Sequence, residues 1–312
     1  MILSVSRRTD IPAFYSEWFI NRLKEKCVWV RNPMNYHSIS EIDLSPNVVD
    51  CIVFWTKNPQ PMFKYLDTID KNYKFYFQYT INAYDKEVEP NLPLLNKRIE
   101  NFIYLSNKYG KDKVIWRYDP IILTNKYNMK WHEDKFKYIA QKLQGFVSSC
   151  VFSFIDVYDK NRNNLSQLEL KDINLNTIRD ISQKLKTIAD EFGIEIKTCS
   201  EDIDLINLGI KKSCCIDPIL ISNIINCKIK TKKDKNQRAS CGCVESIDIG
   251  QYNTCKHGCI YCYANYSQES VKTNCLKHVP TSKLLLGQKE DGDKINKRVA
   301  RSLKDLQTTF FD

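Results

Sequence analysis

"CIVFWTKNP", residues 51–59, passes from an almost unbroken apolar run into Lys, Asn and Pro. A half-exposed strand would alternate apolar with polar residues. A run of Ile, Val, Phe and Trp with no alternation reads instead as a strand covered on both faces. Such strands belong to parallel sheets, whose carboxyl ends share one rim and carry the ligand-binding groups. Lys57 is therefore expected at a site.

The same unit recurs outward from this stretch. "ILSVS" (2–6), "FYFQYTI" (75–81), "VIWRYD" (114–119), "CVFSFIDVY" (150–158) and "IEIKT" (194–198) are short β-branched and aromatic runs. Helix-like segments separate them. In "LNTIRDISQKLKTIADEFG", Ile178, Ile181, Leu185 and Ile188 recur at helical spacing and Gly193 is a natural stop. Strands alternating with helices predict an α/β fold, a partial or full (β/α) barrel, with a doubly wound open sheet as the alternative. The strand ends "SRRTD", "WTKNP", "QYTINAYD", "RYDP", "DVYDKNR" and "TCSED" are all polar. They predict that Arg7, Arg8, Asp10, Lys57, Gln78, Arg117, Asp119 and Asp156 face one cavity. Asp10 and Asn58 also read as helix caps.

The chain has 312 residues, 43% of them hydrophobic and 12% aromatic, enough for a sizeable core in one or two domains. The expected division is a barrel-like domain over 1–202, a cysteine-rich region over 203–282, and a C-terminal helix and tail over 283–312. "MILSVSRRTD" is too short an apolar start for a signal peptide, and no later run is long enough to span a membrane. A cytoplasmic protein is expected, in which thirteen cysteines serve metal ligation, catalysis or packing rather than disulfides. The net charge of +10 suits an anionic partner such as nucleic acid, or reflects a Lys-rich chain with solvated lysines. No nucleophile elbow, phosphate loop or metalloprotease motif occurs.

Cys255, Cys259 and Cys262 lie within "YNTCKHGCIYCYANYS" (252–267), and Gly258 gives their loop backbone freedom. Three thiolates suit zinc or an iron–sulfur cluster; a closed zinc site needs a fourth ligand, whereas a four-iron cluster on three cysteines keeps one iron open. Cys199, Cys215 and the Cys241/Cys243 pair flanking Gly242 form a candidate second set, with simple burial as the competing reading. Cys27, Cys51 and Cys150 read as core, and Cys214 and Cys227 have no assignment. His257 is expected to donate to cluster sulfur or to lie at the surface.

"CKHGCIYC" resembles the C-x3-C-x2-C signature of radical S-adenosylmethionine enzymes, including the aromatic Tyr261 before the last cysteine. The resemblance implies a [4Fe–4S] cluster on Cys255, Cys259 and Cys262. S-adenosyl-L-methionine would bind its open iron and be cleaved to a 5′-deoxyadenosyl radical. It also implies a (β/α) barrel, an electron donor such as flavodoxin or ferredoxin, and a second [4Fe–4S] cluster or zinc ion on the other cysteine set. Members carry this motif after the first strand. Here it lies near the C-terminus, so the resemblance implies a circularly permuted barrel with "SIDIG" (246–250) beside the N-terminal strand. Arg7, Arg8, Asp10, Lys57, Gln78, Arg117 and Asp119 would then be cofactor-binding.

The whole chain, through "SVSRRTDIPAFY", "FWTKNP", "RYDPI" and "QRASCGCVESIDIGQYNTCKHGCIYCYAN", also resembles an uncharacterised bacterial family with a cysteine-rich C-terminus. The barrel portion is distantly similar to spore photoproduct lyase. "QTTFF" (307–311) resembles peptides that dock on DNA sliding clamps, which favours DNA repair or modification. A radical enzyme acting on a small metabolite or peptide, and a zinc-stabilised nucleic-acid-binding protein without catalysis, are the alternatives.

Overall fold

The computed structural model describes residues 1–305, apart from Ser200, Asp202, Ala239 and the side chain of Lys160. The docking motif expected at 307–311 lies outside the described residues.

Seven of the strands follow the expected runs: β1 (Ile2–Val5), β4 (Cys51–Thr56), β5 (Phe75–Thr80), β6 (Val114–Ile121), β7 (Ser149–Phe154), β8 (Glu195–Thr198) and β10 (Ile247–Asp248). With β9 (Lys211–Lys212) they build one eight-stranded sheet, ordered β10-β1-β4-β5-β6-β7-β8-β9 and parallel at every pairing. The protein is thus an α/β fold around a large parallel sheet. After β10 the order follows the chain without reversal, and no pairing joins β9 to β10 among the described residues.

Right-handed crossovers in a one-directional order place successive helices on the same face. The core agrees. Leu3, Val5, Ile52, Phe54, Phe75, Phe77, Trp116, Phe152 and Ile196 point to one side. There they pack against α2 (Ser16–Glu25), α3 (Phe63–Asp70), α4 (Leu95–Tyr109), α5 (Met129–Leu143) and α7 (Leu175–Glu191) through Phe19, Leu66, Phe102, Phe136 and Leu185. The alternate residues Ile2, Cys51, Val53, Tyr76, Ile115, Val151 and Cys199 face the other way, into a second cluster with Ile216, Ile221, Cys241 and Cys243. Burial on both faces explains why these strands lack alternation. The covering element on the second face is the chain from 213 to 244, including α8 (Pro218–Ile225).

One expectation needs correction, and one segment of the fold is not anticipated by the sequence. The segment 27–43 forms a hairpin, β2 (Cys27–Asn32) and β3 (Asn35–Asp43), outside the main sheet. The segment 283–305 contains no helix; it runs extended as β11 (Lys294–Lys297) beside β3. The stretch "KINKRVARSLKDL" has helix-like character, but the open edge of β3 offers the backbone a ladder instead. Leu303 then ties to Asp50 through its N–H at 2.7 Å. No helix among the described residues is long and apolar enough to cross a membrane.

Candidate functional site

The polar strand ends meet in one cavity of about 400 Å³. Its lining includes all eight expected rim residues, from Arg7 to Asp156, and all seven expected ligand cysteines, Cys199, Cys215, Cys241, Cys243, Cys255, Cys259 and Cys262.

β10 joins this site to the start of the chain. It pairs in parallel with β1, Leu3 opposite Ile247 and Ser4 opposite Asp248. The Asp248 carboxylate accepts from Ser4 Oγ at 2.8 Å, Ser6 Oγ at 2.7 Å, Arg7 N at 2.8 Å and Gly250 N at 2.9 Å. A short acidic side chain at the last strand position can satisfy several donors of two diverging loops at once. Asp248 therefore fixes the Arg7 turn and the entry to the cysteine loop together. Gly250 is required there, because a Cβ would stand 1.9 Å from Ser6 Oγ.

The three-cysteine loop turns at Gly258, whose φ of +72° is left-handed. Its anchors were not read from the sequence. His257 is buried rather than at the surface, and its Nε2 meets Asp10 Oδ2 at 2.8 Å. Asp10 also accepts from Ala13 N at 2.9 Å as the cap of α1 (Ile11–Phe14), from Thr56 Oγ1 at 3.1 Å and from Lys57 N at 2.7 Å. The cap reading of Asp10 is met, and the residue also lines the cavity. Lys57 Nζ donates to Tyr261 Oη at 2.6 Å and to Glu89 Oε1 at 3.0 Å. Tyr261 donates in turn to Glu89, and Arg98 approaches the same carboxylate at 3.3 Å. Burial alone would raise Glu89, but Lys57 and Arg98 hold it below the usual carboxylate range. Burial pushes the Cys259 thiol up to about 12 and raises Cys255 and Cys262 as well.

The second cysteine set is assembled from three segments. Cys199 follows β8, Cys215 follows β9, and Cys241 and Cys243 come from the covering chain. Cys199 Sγ lies 3.0 Å from Cys215 Sγ. Hydrogen bonds from Cys215 and Cys241 hold Cys243 well below the ordinary thiol range. Gly242 lets Cys214 approach closely, since a Cβ would sit 2.6 Å from Cys214 Sγ. Strand residues support this set from below: Arg117 Nη1 donates to Cys215 Sγ at 2.8 Å. Gln78 Nε2 and Tyr76 Oη donate to the Cys215 carbonyl at 2.8 and 2.7 Å. Gln78 and Arg117, expected to contact a cofactor, thus stand against the second cysteine set. Arg117 also pairs with Asp119 at 2.6 Å. The Arg7 and Arg117 guanidiniums both lie over Trp55, at 5.2 and 5.6 Å. Arg7 Nη2 is buried without a hydrogen-bond partner. Arg8 lies over Tyr252 at 5.3 Å. Across the cavity, Arg238 binds Asp156 at 2.6 Å.

None of the thirteen cysteines is in a disulfide. Among the described residues no three His, Cys, Asp or Glu side chains close round a point as a finished metal cage. The donor chemistry nonetheless fits a soft metal or cluster: seven cysteines outside any disulfide line one cavity, and Cys199 and Cys215 are already in sulfur–sulfur contact.

Comparison with known proteins adds a family but no activity. No curated protein matches the chain. Among solved structures, a putative alpha-L-fucosidase from Bacteroides thetaiotaomicron VPI-5482 is similar at 15% identity, over 50% of this chain and 66% of that one. Its TM-score of 0.21 is too low to carry an argument. The family model for a domain of unknown function, DUF1848, matches residues 2–264, and the chain belongs to that family.

Proposed function

We propose that the protein is a radical S-adenosylmethionine enzyme built on a circularly permuted, barrel-like (β/α) sheet. The observation that carries this reading is the position of the C-x3-C-x2-C cysteines. Cys255, Cys259 and Cys262 line a cavity at the carboxyl ends of parallel strands, on a loop entered from a strand paired with β1. One-directional strand order, with α2, α3, α4, α5 and α7 together on one face, supports the barrel-like part. The order β10-β1 supports the permutation, since it sets the motif-bearing strand first in the sheet though late in the chain.

Cys255, Cys259 and Cys262 would hold a [4Fe–4S] cluster, and Cys199, Cys215, Cys241 and Cys243 a second cluster or a zinc ion. When bound, the first cluster with S-adenosylmethionine would supply a carbon-centred radical for hydrogen abstraction. The chain's own residues have separable tasks. Asp10 and His257 fix the loop, and Arg7, whose Nη1 lies 3.8 Å from Asp234 and whose Nη2 has no partner, would take an anionic group. The second set, Cys199, Cys215, Cys241 and Cys243, is buried, whereas Cys255 and Cys262 of the first set keep partial exposure to the cavity. Arg7, Arg8 and Arg238 suit an anionic substrate, and with the net charge of +10 they favour nucleic acid or its bases.

The test is an absorbance spectrum with iron, sulfide and zinc analysis on protein purified without oxygen, beside a Cys255→Ala/Cys259→Ala/Cys262→Ala variant. Brown protein that loses about half its iron in the variant supports two clusters. Colourless protein with stoichiometric zinc after anaerobic reconstitution sinks the radical reading and leaves a zinc-stabilised binding protein.

A further inference from the structure

We propose that Lys57, Glu89, Arg98 and Tyr261 form a buried cradle that positions Cys259 and Cys262 and sets the Lys57 ammonium against their thiolates. The inference rests on the reading of Cys255, Cys259 and Cys262 as metal ligands.

Glu89 has a side chain with no solvent exposure, between Lys57 at 3.0 Å and Arg98 at 3.3 Å. A fully buried carboxylate survives only with cationic or hydrogen-bonding partners, and these also fix its place. Tyr261 lies between Cys259 and Cys262 in the chain. Its hydroxyl accepts from Lys57 and donates to Glu89, so the ring cannot turn without breaking both bonds. The segment bearing Glu89 grips the backbone of the loop too. Ile260 N donates to Val88 O at 3.1 Å, Asn91 N to His257 O at 3.2 Å, and Asn91 Nδ2 to Lys256 O at 2.9 Å. On the far side Asn161 Nδ2 donates to Tyr261 O at 3.1 Å.

This is more holding than a surface turn needs. Lys57 follows β4 directly and acts electrostatically on both Cys259 and Cys262. The other buried carboxylate beside it, Asp10, is engaged by Ala13, Thr56, His257 and the Lys57 backbone. The Lys57 ammonium is thus bound to Glu89 and to Tyr261, the residue between the two cysteines, and shares the cavity wall with Cys259 and Cys262. A cation held this way stabilises thiolates in a site of low dielectric, as outer partners of metal ligands do. Glu89 and Tyr261 act through Lys57 and the loop, as positioning residues.

Cobalt(II) titration of the full chain tests this through the thiolate-to-cobalt absorbance. The component lost in the triple-cysteine variant reports the first set. Lys57→Met should weaken that component by about 10–100-fold with the fold intact by circular dichroism, and Lys57→Arg should restore most of it. Tyr261→Phe keeps the ring and every charge but cuts the hydrogen bonds; it should weaken the same component by about 10-fold. Wild-type affinity in either folded variant overturns the cradle while leaving the metal reading in place. An unchanged cobalt spectrum in the triple-cysteine variant overturns both.

Discussion

Arg117 Nη1 donates to Cys215 Sγ across 2.8 Å while Nη2 of the same guanidinium binds Asp119 at 2.6 Å. One side chain on β6 therefore joins a strand-end carboxylate to a cysteine of the covering chain. Arg117 is almost fully buried, so its charge relies on these partners. Replacing it with Met should destabilise the fold by on the order of 2 kcal/mol, less than for a fully enclosed pair because Asp119 keeps some contact with water. Urea unfolding with an unchanged m-value measures this. A loss below about 0.5 kcal/mol would mean that the guanidinium is not holding the two segments together.

The approach of β1 to β10 gives a sharper mutational expectation. Ala at Gly250 would put its Cβ 1.9 Å from Ser6 Oγ and 2.7 Å from Ser6 Cβ. Backbone must move, since the second contact is not with the end of a flexible chain. Gly250→Ala should cost about 1–3 kcal/mol, as overpacking does. Adding Ser6→Ala should not recover the loss, because Ser6 Cβ remains and the hydrogen bond to Asp248 goes. Full recovery in the double variant, read by thermal or urea unfolding, would place the clash elsewhere.

How far the sequence reveals this site follows from what each residue must do. The strands that make the parallel sheet's interior are legible because burial on both faces leaves no alternation, and the polar breaks at Arg7, Lys57, Arg117 and Asp156 mark the rim. Cysteine spacing marks the loop at 255–262. Glu89 and Arg98 are invisible in the same reading, and His257 is noticed without its partner. Each acts through a partner beyond its own local segment, Lys57, Glu89 and Asp10 in turn, and nothing local in "VEPN" or "NKRIE" records that. Asp248 is half-legible: "SIDIG" suggests a strand beside β1, but not that its one acidic residue receives four hydrogen bonds. The strand at 294–297 is not legible, because the helix-like character of a short segment does not reveal an open strand edge far away in the chain.

His132 gives a pH-dependent expectation away from the cysteines. It is fully buried on α5, with Nε2 2.9 Å from Ile122 O and Nδ1 2.8 Å from Tyr118 Oη. The carbonyl can only accept, so Nε2 carries the proton and Nδ1 accepts from the tyrosine. Burial lowers its pKa from 6.5 to about 4. Above pH 6.5 the ring is neutral in folded and unfolded chains alike, and it contributes no pH dependence. As pH falls from 6.5 to about 4 the unfolded chain takes up a proton that the folded chain refuses, so stability drops across that window. The full drop is at most about 3 kcal/mol. Stability curves from urea unfolding between pH 7 and pH 4 should therefore be steeper for the natural chain than for His132→Gln, which keeps a donor for Ile122 O but does not titrate. Equal slopes for the two proteins would show that His132 is hydrated or protonated in the folded state.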